Sequence, residues 1–139
     1  MAITIWELFK LCTDVGLLVL IWMVQLVIYP GFCHFGKDGL EKWHKTYMRH
    51  ITFIVLPLML TQLILSGYLL YVSDFGVLRI ADFLLVGSMW LSSVFIYKPL
   101  HERLIREPEN TGLCHRLEKT NWWRTAVWTL ILLLNISFL

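Results

Sequence analysis

Charged residues are scarce in this chain of 139 residues, where they make up 16% of the sequence. Soluble domains usually contain about 25% charged residues, whereas 58% of the side chains here are hydrophobic. The shortage argues against an ordinary soluble domain, and the length predicts a single domain, residues 1–139. A net charge of +2 gives no reason to expect a nucleic-acid partner.

Cysteines are also few, and Cys12, Cys33 and Cys114 form neither a CxxC motif nor a Cys/His finger spacing. An odd number at such spacings predicts neither a disulfide framework nor a zinc module. We therefore expect three free cysteines, buried as small apolar side chains. The paired Glu-x-x-His motifs of di-iron bundles are missing as well, since His101 is followed directly by Glu102.

Long hydrophobic runs dominate what is present. Four of them approach the roughly 20 residues that a helix needs to cross a hydrocarbon core of about 30 Å; they are residues 11–29, 51–72, 77–97 and 122–139. No cleavage pattern follows the first run, so we expect it to be retained. The sequence predicts an all-α, integral membrane four-helix bundle with up-down-up-down order and the lipid bilayer as its surroundings.

Basic residues set the expected orientation. Of the 12 lysines and arginines, four lie between the first two runs and six lie between the last two or at the start of the fourth. Cytoplasmic loops carry such an excess, so we expect these connections to face the cytoplasm and both termini to lie outside.

The basic connections are predicted to be helical extensions of the spans on the cytoplasmic side. Residues 40–50 contain no proline or glycine and repeat apolar and aromatic residues at helical spacing. We expect the second helix to begin near Asp38 and the third to pass Pro99 with a local kink. Breaker residues at 107–112 predict the turn before a fourth helix that begins at Leu113.

All five histidines lie in these two basic segments. Helical spacing predicts that His44 meets Tyr47, that Tyr97 meets His101, and that Asn121 and Arg124 share a face. Arg124 lies inside an apolar run, where arginine is costly and normally faces a partner or a cavity. We expect these groups from helices two, three and four to converge at the cytoplasmic border of the bundle.

Other polar residues have simpler expected roles. Gln25 and Gln62 are expected to form hydrogen bonds between helices. Asp14 and Asp82 lie toward the outer end of the bundle. We expect their carboxylates to form ion pairs with Lys10 and Arg79.

Several short motifs together resemble a family of small bacterial four-span membrane proteins that is distantly similar to the anthrone oxygenase-like membrane proteins. The motifs are QLVIYPGF at 25–32, Trp43-His44 with Tyr47 and Arg49, PLM at 57–59, Pro99-Leu100-His101, and TNW at 120–122 with Arg124 and Trp128.

The resemblance implies a bacterial inner-membrane enzyme that oxidises a lipophilic aromatic substrate with dioxygen and without an obvious cofactor. His44 or His101 would act as the base, because imidazole exchanges protons near neutral pH. Arg124 and Asn121, with Arg49 as a further donor, would hold the anion that forms. Tyr47 and Tyr97 would orient the histidines.

Two alternatives belong to other classes. His44, His50 and His101 are the candidate ligands of a haem or a transition metal in a membrane redox protein. In the second alternative the chain has no catalytic activity. It would then be a subunit of a homo-oligomer, or an assembly or lipid-binding component of a larger membrane complex.

Overall fold

The computed structural model describes residues 3–139, which form four helices and no strand. The helices are α1 (Ile5–Phe32), α2 (Lys37–Val72), α3 (Val77–Arg106) and α4 (Thr111–Ile136). The all-helical prediction is confirmed, and the predicted extensions of α2 and α3 are present. The fourth helix begins two residues earlier than predicted.

Local sequence explains where the helices begin and end. Thr4 caps α1 because its hydroxyl accepts from the Glu7 amide, while the Glu7 carboxylate accepts from the Thr4 amide. The turn between α2 and α3 holds Asp74 and Phe75 at φ 52° and 59°. The connection between α3 and α4 is tied to the start of α2 by Lys37, whose ammonium donates to Glu109 at 2.6 Å. That hydrogen bond and the charge of Lys37 lower the pKa of the Glu109 carboxyl.

Two helices contain a widened π-helical turn just before a proline. The turn in α1 covers Val24–Ile28 and precedes Pro30, and the turn in α3 covers Ser93–Tyr97 and precedes Pro99. Proline has no amide hydrogen to donate, and short π segments often lie at functional sites. In α3 the π turn lies directly before Pro99, where the sequence predicts a simple kink.

The helices pack in a closed ring, with α1 against α2 and α4, and α3 against α2 and α4. Leu17, Val86 and Ile131 are fully buried in the centre, while Phe53 and Val77 are 83% and 81% exposed. Large apolar side chains on the outside with many polar ones inside suit a lipid environment.

Three of the helices, α1 to α3, are long and apolar enough to cross a membrane. The last helix is 26 residues long, but its first third carries His115, Arg116, Glu118 and Lys119. The membrane class is therefore supported by three helices, whereas the sequence predicted four spans.

The prediction of three free, buried cysteines is wrong. Cys33 at the end of α1 and Cys114 at the start of α4 form a disulfide, and Cys12 is free but exposed. The pair is 81 residues apart in sequence and meets where the end of α1 contacts the start of α4. Spacing rules for local motifs cannot detect such a pair.

Candidate functional site

A cavity of about 340 Å³ lies inside the ring of helices. Its wall is mostly aliphatic and aromatic, with residues from all four helices. The polar groups in that wall are Tyr29, Tyr47, Thr52, Ser93, Tyr97, Lys98, His101 and Arg124. Apolar walls with a few convergent polar groups are typical of small-molecule sites.

The two predicted histidines meet at this cavity. His44 Nε2 and His101 Nδ1 are 2.7 Å apart, and both side chains are buried. The hydroxyl of Tyr29 lies 3.0 Å from the other ring nitrogen of His101. A hydrogen bond between two imidazoles needs one donor and one acceptor, so they cannot both be imidazolium while it persists. Tyr29, His101 and His44 thus form a continuous hydrogen-bonded chain.

The chain connects the cavity to the polar end of the molecule. His101 lines the cavity, whereas His44 and His101 both line a more open groove together with Lys98, Glu102 and Arg106. The hydrogen-bonded chain thus runs from the cavity wall to this groove.

Arg124 is buried in the cavity wall without a carboxylate partner. Its side chain is absent from every ion pair within residues 3–139. One amine donates to Ser93 Oγ at 3.2 Å, and the Nε atom makes no hydrogen bond within the described chain. The guanidinium lies 4.3 Å from the ring centre of Tyr97 and 5.0 Å from that of Trp128. The aromatic faces attract the cation but do not neutralise it.

The other predicted site residues have different positions. Tyr47 lines the cavity and packs edge-on against Phe32. Tyr97 does not hold a histidine: its hydroxyl donates to the Thr120 carbonyl at 2.8 Å. Asn121 does not line the cavity and instead donates to Gln25 at 3.0 Å. Gln25 also binds the Glu118 carbonyl, as expected for hydrogen bonding between α1 and α4.

The remaining histidines and Arg49 are exposed. His50, a proposed ligand in the metal hypothesis, is therefore not part of the buried pair. Two nitrogens bound to one metal at about 2.0–2.1 Å each stand more than about 3 Å apart, whereas the His44–His101 nitrogens share a hydrogen at 2.7 Å. In this conformation the two nitrogens bond to each other and do not form a joint ligand set for a haem iron or a transition metal.

A second buried polar cluster lies toward the other end of the molecule. Lys10 Nζ contacts Asp14 at 2.8 Å and Asp82 at 3.3 Å, and all three side chains are almost fully buried. Gln62 donates to Asp14 at 2.7 Å, and Ser66 donates to Asp82. The expected role of Gln62 between helices is confirmed.

Arg79 differs from its expected pairing. It binds Glu7 at 2.7 Å and Asn135 at 3.3 Å, while Asn135 donates to Asp82. Asp82 therefore pairs with Lys10 and not with Arg79. The cluster joins all four helices, and buried ionic groups of this kind can specify which helices pair.

Sequence reasoning assigned no site role to Tyr29 or Ser93. The sequence predicts Tyr29 only as part of a span. In the structure it lies between a π turn and Pro30, and its hydroxyl contacts His101. Its carbonyl also lies 3.9 Å from the sulfur of Cys33 and 3.8 Å from that of Cys114. A tyrosine directly before a proline in an apolar run was the available signal.

Comparison with known proteins found no significant match to a protein family, to a curated protein or to a solved structure.

Proposed function

We propose that this protein is a small integral membrane enzyme that binds a lipophilic aromatic acid in the central cavity and oxidises it with dioxygen. In this proposal the acid is a phenol or an activated carbon acid, and it is held as its anion. The resemblance to anthrone oxygenase-like proteins motivates the oxygenase class, and the cavity chemistry supports it independently.

The observation that carries the proposal is the unpaired charge of Arg124 in an apolar cavity. Burying a cation without a partner is costly, and a cation inside a membrane protein normally faces a partner or a cavity. No carboxylate of the described chain supplies that anion. A ligand with an apolar ring and a negative oxygen would fill the cavity and neutralise the guanidinium.

The histidine chain supplies the base. A neutral imidazole can accept a proton from an acidic substrate. His101 lines the cavity, and His44 connects it to the outer groove. His101 is the base in this proposal and His44 is the next carrier of the proton.

The reaction balances without a resident cofactor. The Tyr29 hydroxyl takes a proton from a CH₂ group next to the aromatic ring and passes its own proton to His101 Nε2. The delocalised anion then transfers one electron to dioxygen. The resulting radical and superoxide combine to a peroxide, which takes up a proton and loses water to leave a carbonyl. The net change is CH₂ plus O₂ to C=O plus H₂O, and Arg124 stabilises the anions on the way.

The entrance of the cavity suits a substrate dissolved in lipid. Thr52, Leu56 and Val94 line the cavity and are exposed on the outer surface between α2 and α3. We propose that α4 crosses the membrane with the other three helices, so that this opening faces the bilayer. In this orientation the basic end and the outer groove face the cytoplasm of a bacterial inner membrane, with both termini on the opposite side.

Oxygen uptake by the purified protein tests the proposal. A hydroxylated anthrone is added to the protein in nanodiscs, and oxygen consumption is followed together with quinone absorbance. We expect equimolar uptake of oxygen and formation of quinone, at a rate above that of empty nanodiscs. His101→Gln should lose the enhancement, whereas His50→Gln, which changes an exposed histidine, should retain it. A wild-type rate equal to the empty-disc rate would refute the oxygenase assignment.

A further inference from the structure

Four metal-binding side chains meet where the end of α1 contacts the start of α4. The ligand atoms of Cys33, His115 and Glu118 all lie within 4.8 Å of one another, and Cys114 contributes the sulfur bonded to Cys33. This is the one cluster of three or more such residues within residues 3–139. None of the four lines the central cavity.

The chemistry of the cluster is that of a zinc site. Two thiolates, an imidazole and a carboxylate are all common zinc ligands, and zinc takes four of them in a tetrahedron. Cys114 is buried and Cys33 and Glu118 are half-buried, while His115 is exposed. The sulfurs are thus shielded, and the imidazole side remains open for an ion to enter.

A structural disulfide alone does not account for the imidazole and carboxylate beside it. The basic end of the chain, which carries this cluster, is also the end that the lysine and arginine distribution places in the cytoplasm. Disulfides are rare in that compartment because thiols there are kept reduced. In the orientation proposed above, the dithiol is therefore the form expected in the cell.

We propose that Cys33, Cys114, His115 and Glu118 bind one zinc ion when the disulfide is reduced. A dithiol reductant transfers two electrons and two protons to the Cys33–Cys114 bond, which yields two thiols and the oxidised reductant. Zinc binding then displaces the two thiol protons to the solvent. Ligand atoms around zinc stand roughly 3.3–3.8 Å apart, so the sulfurs separate and the other two groups close around the ion.

Cobalt substitution gives a direct test on the full chain. The protein is purified in detergent, reduced with a phosphine, and titrated with Co²⁺, whose thiolate complexes have charge-transfer absorption in the near ultraviolet. We expect one Co²⁺ per chain, intense tetrahedral d–d bands, and stoichiometric displacement by Zn²⁺. The oxidised protein should give no such spectrum.

Variants separate the cluster from adventitious binding. His115→Ala and Glu118→Gln should each weaken Co²⁺ binding by more than the roughly tenfold typical of losing an outer-shell partner. Cys12→Ser and His50→Ala change a free exposed cysteine and an exposed histidine elsewhere, and should leave binding unchanged. Loss of affinity in these controls would assign the metal to surface groups and overturn the proposal.

A second measurement uses the wild-type protein, so it does not depend on whether a variant folds. Iodoacetamide alkylates the reduced wild-type thiols, and bound Zn²⁺ should slow alkylation of Cys33 and Cys114 but not of Cys12. Absence of a thiolate–cobalt band in the reduced wild type, or equal alkylation of all three cysteines with zinc present, would contradict the site. Both readouts are independent of oxygenase activity.

Discussion

Replacing Arg124 by leucine separates a functional cation from one kept for folding. The side chain is 8% exposed and has no carboxylate partner in the described chain. Leucine removes the charge and the hydrogen bond to Ser93, and it adds apolar surface to an apolar wall.

The expected effect on stability is small because two contributions oppose each other. An arginine near the centre of a membrane helix costs about 2.5–3.5 kcal/mol for insertion. Its cation–π contacts with Tyr97 and Trp128 stabilise the folded protein by about 0.5–2 kcal/mol each. We therefore expect Arg124→Leu to insert normally and to unfold within a few degrees of the wild type.

The expected effect on catalysis is large. Removing one preorganised donor to a developing anion commonly costs about 2.7–4 kcal/mol, or roughly 100- to 1,000-fold in kcat. Arg124→Lys should recover part of this loss, because an ammonium keeps the charge but not the planar fork of donors. Oxygen uptake and quinone formation measure the rate, and thermal unfolding in nanodiscs measures the stability.

Arg116→Leu is the matched control. Arg116 is exposed on the same helix, and its replacement should change neither rate nor stability appreciably. If Arg124→Leu kept full activity, the unpaired cation would have no role in holding an anion and the reasoning would fail. If it lost activity only by failing to insert, the buried arginine would be structural.

Three further outcomes follow from the hydrogen bonds and ion pairs. Tyr29→Phe removes the hydroxyl at His101 Nε2 and should cost about 0.5–1.5 kcal/mol in thermal unfolding, with an altered pH profile of kcat; an unchanged profile would remove Tyr29 from the proton path. His44→Gln should slow turnover less than His101→Gln, since only His101 lines the cavity; the reverse order in the oxygen assay would reverse their roles. Lys10→Met leaves two buried carboxylates unpaired and should destabilise the protein by about 3–5 kcal/mol, whereas exposed Lys45→Met should change unfolding by less than about 0.5 kcal/mol.

The helices and the meeting of His44 with His101 were predictable from the sequence. Helix boundaries follow from breaker residues and apolar periodicity, which are local signals. The basic segments lack breakers between residues 40 and 50, so the extension of α2 beyond its apolar run was predictable too. Because consecutive helices pack as neighbours, histidines at similar heights on α2 and α3 were expected to meet.

The side-chain contacts that were not predictable depend on how each helix is rotated about its own axis relative to its neighbours. A π turn adds a residue to one turn and rotates everything after it, so Tyr29 faces His101 while Tyr97 faces Arg124. On α4, which has no such turn, Asn121 contacts α1 and not the cavity. The Cys33–Cys114 pair and the choice of Lys10 as the partner of Asp82 also depend on tertiary packing, which residue spacing does not encode.

The central claim is that the cavity holds a lipophilic acid as its anion, with the proton on the histidine pair and the charge against Arg124. The most direct measurement is the absorption spectrum of 2-naphthol bound to the protein in nanodiscs, at a pH where free naphthol is neutral. The account predicts the red-shifted naphtholate spectrum with the wild type, and the neutral spectrum with His101→Gln and Arg124→Leu. A neutral spectrum on the wild type at saturation, or a naphtholate spectrum that persists in both variants, would contradict it.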